Sequence, residues 1–226
     1  MYFRIATNRN AIIILKLLIK KFKMNILIVY AHPSKKSYTF EVLEKLKTVL
    51  DRSEFKVEIS DLYANDFKSD LSEEEYEREG FGKTELPVPD DVLVEQEKIE
   101  KADCIIFLYP VWWSDCPAKL KGWFDRVYSV GYAYGQNETS RRMKTVPLGL
   151  VICTAGHPND FLNETEIAPS MVKVMLEDRL GKRFEEKEMI ILGGTLDLDD
   201  VKKTHFQVIE KIPEKIKLMS EEFYDA

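Results

Sequence analysis

The sequence has little cysteine and an unremarkable share of apolar residues, and the scarcity of cysteine limits its chemistry. Its three cysteines, Cys104, Cys116 and Cys153, are odd in number and form no CxxC pair. A disulfide framework, a zinc site or an iron–sulfur site is therefore not expected, and we predict no metal. We interpret the three as reduced thiols of a cytoplasmic protein, with Cys104 in the core.

A long apolar segment is also lacking. The apolar stretch over residues 11–19 is too short to span a bilayer, and the basic cluster KKFK follows it where a secretory signal would have a small-residue cleavage site. An amphipathic surface anchor is one reading of this segment. We favour another, in which residues 1–23 are an N-terminal extension outside the fold, 24–226 form a single domain, and membrane association is not expected.

A net basic charge and the common nucleotide-binding motifs are absent as well. The net charge is -6, which argues against a nucleic acid as partner, because a phosphate-binding surface needs a basic footprint. No GxGxxG motif and no GxxxxGK[ST] motif occurs, so neither a Rossmann dinucleotide site nor a P-loop is expected.

Five short apolar or alternating segments alternate with helical patterns along the chain. The segments are NILIVYA, FKVEIS, DCIIFLYP, VPLGLVICTAG and EMIILGG, and FKVEIS alternates as a strand near a sheet edge does. Helical spacing is evident from Phe40 to Leu50, over 91–102, after Pro117, over 168–181 and over 199–219, where Pro213 can break the helix. The order predicts an α/β fold, a doubly wound five-stranded parallel sheet with helices on both faces.

Three loops leave the carboxyl ends of these strands, where ligands bind in such sheets. HPSKKSYT (32–39) carries hydroxyls and precedes a helix, as a phosphate site does, although Ser37 or Thr39 can equally serve only as a helix cap. PVWWSDCP (110–117) holds Trp112 and Trp113, at least one of which we expect on the core. TAGHPND (154–160) allows close approach of backbone N–H groups. Phosphate at the first loop and a planar ring between the other two predict a flavin.

These stretches resemble the flavodoxin-like NAD(P)H:quinone oxidoreductases, a family that includes drug-activity modulators and the flavin subunits of potassium efflux systems. The matching segments are ILIVYAHP, SDLYANDF, EQEKIEKADCIIFLYPVWW, PAKLKGWFDRV and GYAYG, with weaker similarity through TAGHP. The resemblance implies a non-covalent flavin, with hydride passing from NAD(P)H to it and then to a quinone or similar flat acceptor in ping-pong order.

The resemblance also implies roles for individual residues. At the phosphate end of the flavin it places His32, Ser37, Tyr38 and Thr39. Along the isoalloxazine it places Pro110, Val111, Trp112 and Trp113, and at the polar edge Thr154, Ala155 and Gly156. Tyr134 matches a tyrosine that closes the neighbouring subunit's pocket in the family's dimers. We expect a homodimer, because Tyr132, Tyr134 and a helix over 117–130 should expose more aromatic surface than a monomer leaves in water.

The sequence departs from the family pattern at two places. Ala155 stands where glycine is frequent, and HPNDFLNETE gives no clean match to the tyrosine and histidine of the mammalian members. His157 is our candidate proton donor, the alternative being a merely exposed histidine. FMN needs only the phosphate loop, whereas FAD also needs an adenine groove, which loops and a partner subunit would form. The resemblance to quinone reductases slightly favours FAD over FMN. A flavodoxin-type electron carrier and a flavin-binding regulatory subunit of a transporter remain alternative functions.

Overall fold

The fold is built around one five-stranded sheet, seen in a computed structural model that describes residues 24–53, 55–135 and 142–224. The strands are β1 Asn25–Tyr30, β2 Lys56–Asp61, β3 Cys104–Pro110, β4 Val146–Thr154 and β5 Phe184–Leu192. The sheet order is β2-β1-β3-β4-β5, and every pair of neighbours is parallel. The predicted architecture is confirmed, including the edge position of FKVEIS. The proposed extension 1–23 lies outside the described residues.

Helices connect successive strands and cover both faces. They are α1 Tyr38–Arg52, α2 Glu73–Phe81, α3 Asp90–Lys101, α4 Ala118–Val127, α5 Asn159–Glu164, α6 Ile167–Val172, α7 Leu198–Glu210 and α8 Ile212–Tyr224. α6 continues as a π-helical segment, Lys173–Leu180, and a short 3₁₀ turn, Gly181–Arg183. Gly181 ends the predicted helix at φ 49°, a value that favours glycine. Lys211 separates α7 from α8 one residue before Ile212 and two before Pro213, where the sequence predicted a break.

Two apolar layers sandwich the sheet. One packs α1, α7 and α8 on residues such as Ile28 and Ile106, and the other packs α3, α4 and the segment after β4 on residues such as Phe107. β3 is buried along its whole length because it lies in the middle of the sheet with helices on both faces. All three cysteines are free and buried, and Cys104 is in the core as expected.

The expectation of exposed aromatic surface is wrong for the helix over 117–130 and for Tyr132. We expected a helix over 117–130 that exposes aromatic surface, but α4 buries Trp123 and Phe124 in this chain alone, and Tyr132 is also buried. Trp123 and Phe124 form an edge-to-face cluster with Phe107 and Tyr128, so their aromatic surface is buried in the core and is not free for a partner chain. Only Tyr134 of this group is exposed.

No helix of the described residues has both the length and the apolar character needed to cross a membrane.

Candidate functional site

The candidate site lies at the carboxyl edge of the sheet, where the chain leaves β1 toward one side and β3 toward the other. This reversal is the topological switch point at which open α/β sheets bind ligands. The loops after β1, β3 and β4 meet there through named contacts. Val111 N–H donates to Thr154 O (2.8 Å), and the rings of His32 and Trp112 pack edge to face with centroids 6.0 Å apart.

The first loop, residues 32–37, leads into the N-terminus of α1. Ser37 caps this helix, since its hydroxyl accepts from Phe40 N–H (3.1 Å). The backbone N–H groups of Tyr38 and Thr39 in the same turn have no acceptor in the described part of the chain. Two free donors and the positive end of the helix dipole suit an anion such as a phosphate.

The side chains of this loop are not all available to a ligand. Thr39 is buried, and its hydroxyl shares a 2.8 Å hydrogen bond with that of Thr154. Tyr38 directs its hydroxyl to His205 Nδ1 (2.9 Å) on α7 and stacks on Phe206, away from the turn. Burial, followed by the nearby Glu41 carboxylate, raises the pKa of Tyr38 to about 12. At these two positions, therefore, the free backbone N–H groups offer the donors and the hydroxyls are engaged elsewhere.

His32 connects the first loop to the second. His32 Nδ1 lies 3.0 Å from Ser34 N and 3.1 Å from Ser34 O, so it accepts from the first or donates to the second according to the tautomer. Burial lowers the pKa of His32, while its contact with the Ser34 carbonyl acts in the opposite direction. A neutral ring with its edge on Trp112 is thus favoured.

The second loop is a tight hairpin turn that exposes both tryptophans. Trp112 and Asp115 exchange backbone hydrogen bonds (2.9 and 3.2 Å), and the two residues between them, Trp113 and Ser114, have φ of 52° and 62°. Such left-handed conformations cost non-glycine residues about 1–2 kcal/mol each. Trp112 is 43% exposed and Trp113 is 101% exposed. Our expectation that one ring packs on the core is wrong, because the turn lifts both beyond the end of β3.

The third loop presents two backbone donors in a row. The carbonyls of Ala155 and Gly156 accept from the N–H groups of Thr195 (3.0 Å) and Leu196 (3.3 Å). In a trans peptide the N–H points opposite to the carbonyl, so the N–H groups of Gly156 and His157 are directed away from these partners. Neither has an acceptor among the described residues, whereas Ala155 N–H donates to Leu192 O (2.9 Å).

The partners of the third loop belong to a fourth loop, residues 193–197, that sequence reasoning missed. A Cβ on Gly193 would lie 2.3 Å from Asn159 Oδ1 and 2.8 Å from His157 O, so only glycine fits this close approach. Leu196 is 82% exposed, and its Cγ is the atom nearest to where a Cβ on Gly156 would lie, at 3.4 Å. The GG pair after the fifth strand was the available signal for a turn that meets the third loop.

The two predicted catalytic residues lie in different places. His157 is exposed and packs its ring on Phe161 of α5, with centroids 4.4 Å apart, directly beside the free N–H pair. Tyr134 is 44% exposed, and its hydroxyl donates to Glu79 Oε2 (3.1 Å) on α2. Within the described residues no contact joins Tyr134 to the four loops. Burial and the Glu79 carboxylate raise the pKa of Tyr134 to about 12.

The residues at this edge fit a flavin. The free N–H groups of Tyr38 and Thr39 suit its phosphate, and exposed indoles suit a planar ring system. The adjacent N–H groups of Gly156 and His157 suit a carbonyl-rich edge on which negative charge develops.

Comparisons with known proteins agree with this architecture. A family model described as a flavodoxin-like fold matches residues 24–179. The solved structure of an NAD(P)H:quinone oxidoreductase from Methanothermobacter marburgensis is similar, with a TM-score of 0.80 and 41% sequence identity, over 87% of this chain and 98% of that chain.

Curated relatives match over a shorter length. NAD(P)H dehydrogenase (quinone) 1 of Cavia porcellus is 36% identical over 121 residues, which cover 48% of this chain and 44% of the relative. A ribosyldihydronicotinamide dehydrogenase-like protein of Penicillium crustosum is 34% identical over 131 residues, which cover 52% of this chain and 48% of that protein. The chain thus spans about half the length of the curated relatives it matches.

Proposed function

Because the chain belongs to the flavodoxin-like fold family, we propose that it is a flavin-dependent NAD(P)H oxidoreductase whose acceptor is a quinone or a similarly flat molecule. The names of its relatives support this activity, since the similar Methanothermobacter and Cavia proteins are both named for NAD(P)H and quinone.

The observation that carries the proposal is the fully exposed indole of Trp113, held on a strained turn between the first and third loops. A fully exposed aromatic ring, at the sheet edge that also carries unpaired backbone donors, has little structural use in this chain. Strained positions of this kind concentrate at ligand sites. A flat cofactor or acceptor that lies on the ring would account for it.

The chain's own groups bind and orient in this proposal. The N–H groups of Tyr38 and Thr39 hold the phosphate end, together with the loop from His32 to Ser37. Pro110, Val111, Trp112 and Trp113 border the ring system. Thr154 and Ala155 fix the third loop to the rest of the fold. The Thr154 hydroxyl bonds to that of Thr39, and Ala155 N–H donates to Leu192 O.

When bound, a flavin would supply the two-electron hydride chemistry that connects NAD(P)H with the acceptor. The N–H groups of Gly156 and His157 stabilise negative charge at its polar edge. The imidazole of His157 adjoins that edge and is the proton donor in this scheme. One stacking surface serves both substrates, so the kinetics are ping-pong.

The finer assignments follow from resemblance and composition. FAD is favoured over FMN by the resemblance to quinone reductases, and the mass of the cofactor released by heat distinguishes the two. Three free, buried thiols accord with a cytoplasmic protein. The single domain runs over 24–226.

A homodimer completes the proposal, with Tyr134 closing the pocket of the neighbouring subunit. The helix expected over 117–130 no longer supports this, because its aromatics are buried. Support comes instead from Tyr134 itself and from exposed apolar side chains on α2 and α3, namely Tyr76, Phe81, Leu93 and Val94. Exposed apolar surface of this kind marks association sites.

The test is to titrate the apoprotein with FAD and FMN and then to measure steady-state NADH and NADPH oxidation with a quinone. We expect near-stoichiometric flavin and parallel double-reciprocal plots. A protein that takes up neither flavin refutes the proposal. Flavin uptake without quinone-dependent turnover would instead leave an electron carrier or a regulatory subunit.

A further inference from the structure

The turn that carries Trp113 is held from outside by an arginine. Arg179 donates from both terminal nitrogens to the Asp115 carboxylate, with NH1–Oδ1 at 2.6 Å and NH2–Oδ2 at 2.8 Å. Asp115 is the last residue of the turn, and its backbone closes the hairpin with Trp112. A two-pronged bond of this geometry fixes the plane of the carboxylate as well as its position.

The guanidinium itself is fixed by buried neighbours. Arg179 is 8% exposed, and its charge lies over the ring of Phe124, 5.4 Å from the centroid. NH1 also contacts Cys116 Sγ (3.3 Å) and Met175 Sδ (3.2 Å). Phe124 belongs to the core of α4, so the turn is attached through Arg179 to a rigid part of the fold.

The arginine comes from the π-helical segment Lys173–Leu180, where helix geometry departs from the α form. Such segments are rare and frequently occur at functional sites. Among the described residues, Arg179 is the only cation that pairs with Asp115. The turn contains two left-handed residues that are not glycine, so it needs support from outside itself.

We propose that Arg179 is a positioning residue, which holds the Trp112–Asp115 turn in its left-handed conformation and thereby presents the Trp113 indole to a flat ligand. The ligand part of this inference rests on the proposed function. The part that concerns the turn does not, and it is tested separately.

The first test reads the turn without any ligand. The chain has three tryptophans, so labelling with 5-fluorotryptophan gives three ¹⁹F resonances, which Trp112→Phe and Trp113→Phe assign. In Arg179→Met, which removes the charge but retains an apolar stem, we expect the Trp113 and Trp112 resonances to shift and broaden. The resonance of buried Trp123, whose neighbour Phe124 contacts Arg179, should shift little and stay sharp, which shows that the chain is folded.

Arg183→Gln is the matched control. Arg183 lies four positions further along the chain, in the 3₁₀ turn Gly181–Arg183. It packs over Tyr128 and donates to the Arg179 carbonyl, with no contact to the turn that carries Trp113. It should leave the Trp113 resonance unchanged. If Arg179→Met does not fold, Asp115→Asn removes the carboxylate from the other side, where the side chain is 47% exposed. An unchanged Trp113 resonance in the folded variant of either residue would overturn the proposal.

A rescue variant separates positioning from general destabilisation. Ser114→Gly supplies the residue that adopts positive φ without strain, so in the Arg179→Met background it should restore the Trp113 resonance. If Ser114→Gly does not restore the Trp113 resonance while the Trp123 resonance shows a folded chain, Arg179 does not act by holding this turn.

The second test uses the flavin. Arg179→Met should weaken flavin binding, measured by fluorescence titration, or raise the KM for the quinone by about fivefold or more, with kcat changed less, and Ser114→Gly should reverse this. Unchanged binding and KM, beside a shifted Trp113 resonance, would overturn the ligand part of the inference. If the wild-type protein binds no flavin at all, the proposed function fails, while the ¹⁹F result still decides whether Arg179 holds the turn.

Discussion

The Trp113 side chain is fully exposed and buries no surface in the fold, so its removal should have little effect on stability. We predict that Trp113→Ala changes the free energy of unfolding of the apoprotein by less than about 0.5 kcal/mol, as exposed positions do. Loss of a ring that stacks on the flavin or acceptor should cost about 1–3 kcal/mol in kcat/KM or in flavin affinity. Denaturant unfolding and steady-state kinetics measure the two effects side by side.

Trp123 is the natural control, because it is fully buried and its indole N–H donates to Glu95 Oε2 (2.8 Å). Trp123→Ala should lose about 3–5 kcal/mol of stability. A comparable loss of stability in Trp113→Ala, with normal turnover in the surviving folded protein, would mean that Trp113 serves the fold.

The buried hydroxyl pair of Thr39 and Thr154 joins the phosphate loop to the third loop and gives a second prediction. Thr154→Val leaves the Thr39 hydroxyl, which is 2% exposed, without its partner and should cost about 1–3 kcal/mol. Adding Thr39→Val to this variant removes the unpaired Thr39 hydroxyl, so the double variant should recover much of the lost stability. Urea unfolding of the four proteins of this cycle measures the coupling. Additive losses would show that the hydroxyls do not act as a pair.

Residue-level detail was the hardest part to obtain from sequence. The pattern indicated that Ser37 could cap α1, and the structure bears this out through its bond to Phe40 N–H. It could not indicate that the hydroxyls of Tyr38 and Thr39 turn toward His205 and Thr154, since those partners lie 167 and 115 positions away. Nor could it reveal positive φ at Trp113, where local propensity opposes the observed conformation.

At the scale of elements the sequence was more informative. Buried parallel strands read as continuous apolar runs and the edge strand FKVEIS as an alternating one, so all five were found. A capping box between Ser72 and Glu75 begins α2. The short helix α5 was missed because six residues after a proline carry too little periodicity to be distinguished from a loop.

One buried arginine ties α2, α3 and α4 together and makes the stability depend on pH. Arg126, on α4, pairs with Glu75 of α2 (2.6 Å) and with Asp91 of α3 (2.6 and 3.0 Å). Burial alone would raise the pKa of Asp91, but the hydrogen bonds and charge of Arg126 outweigh it and lower the pKa.

The sign of the pH effect follows from that depression. In the unfolded chain the carboxyl has its ordinary pKa of about 3.9, so below that value the unfolded state takes up a proton first. The stabilisation by the pair is therefore complete well above this pH and is lost as the pH falls through the lower folded pKa. We predict that Asp91→Asn lowers the free energy of unfolding by its full amount at pH 6. Below a pH of about 4 the difference from the wild type should become progressively smaller.

Urea unfolding across this range measures the difference between Asp91→Asn and the wild type. Asp90→Asn is the control, since Asp90 is the exposed neighbour in the first turn of α3 and pairs with no arginine of the described residues. A difference for Asp91→Asn that is constant from pH 6 to pH 3 would contradict the assignment of the pair.

At the scale of the whole molecule, the Tyr134 side chain is held by hydrogen bonds but, within the described residues, does not contact the four loops of the candidate site. Glu79 accepts from the Tyr134 hydroxyl and from Val130 N–H (2.6 Å), and it pairs with Arg78 (2.5 Å). Arg78 is buried and donates to the carbonyls of Leu86 and Val130. A half-exposed tyrosine held this firmly is suited to meet a second chain, and light scattering at micromolar concentration should give the mass of a dimer.

If each pocket of that dimer combines Trp113 of one subunit with Tyr134 of the other, two impaired variants should restore each other's activity. Trp113→Ala and Tyr134→Phe homodimers each carry one defect in both pockets. In a mixed dimer both defects fall in one pocket, and the other pocket has both native residues. Co-refolding equal amounts pairs about half of the chains in mixed dimers, so about a quarter of all pockets become native, as follows from two-fold symmetry. Turnover should therefore rise toward a quarter of the wild-type value after co-refolding, but not after simple mixing of stable homodimers. Activity that never exceeds the mean of the two variants would mean that Tyr134 acts within its own subunit or not at all.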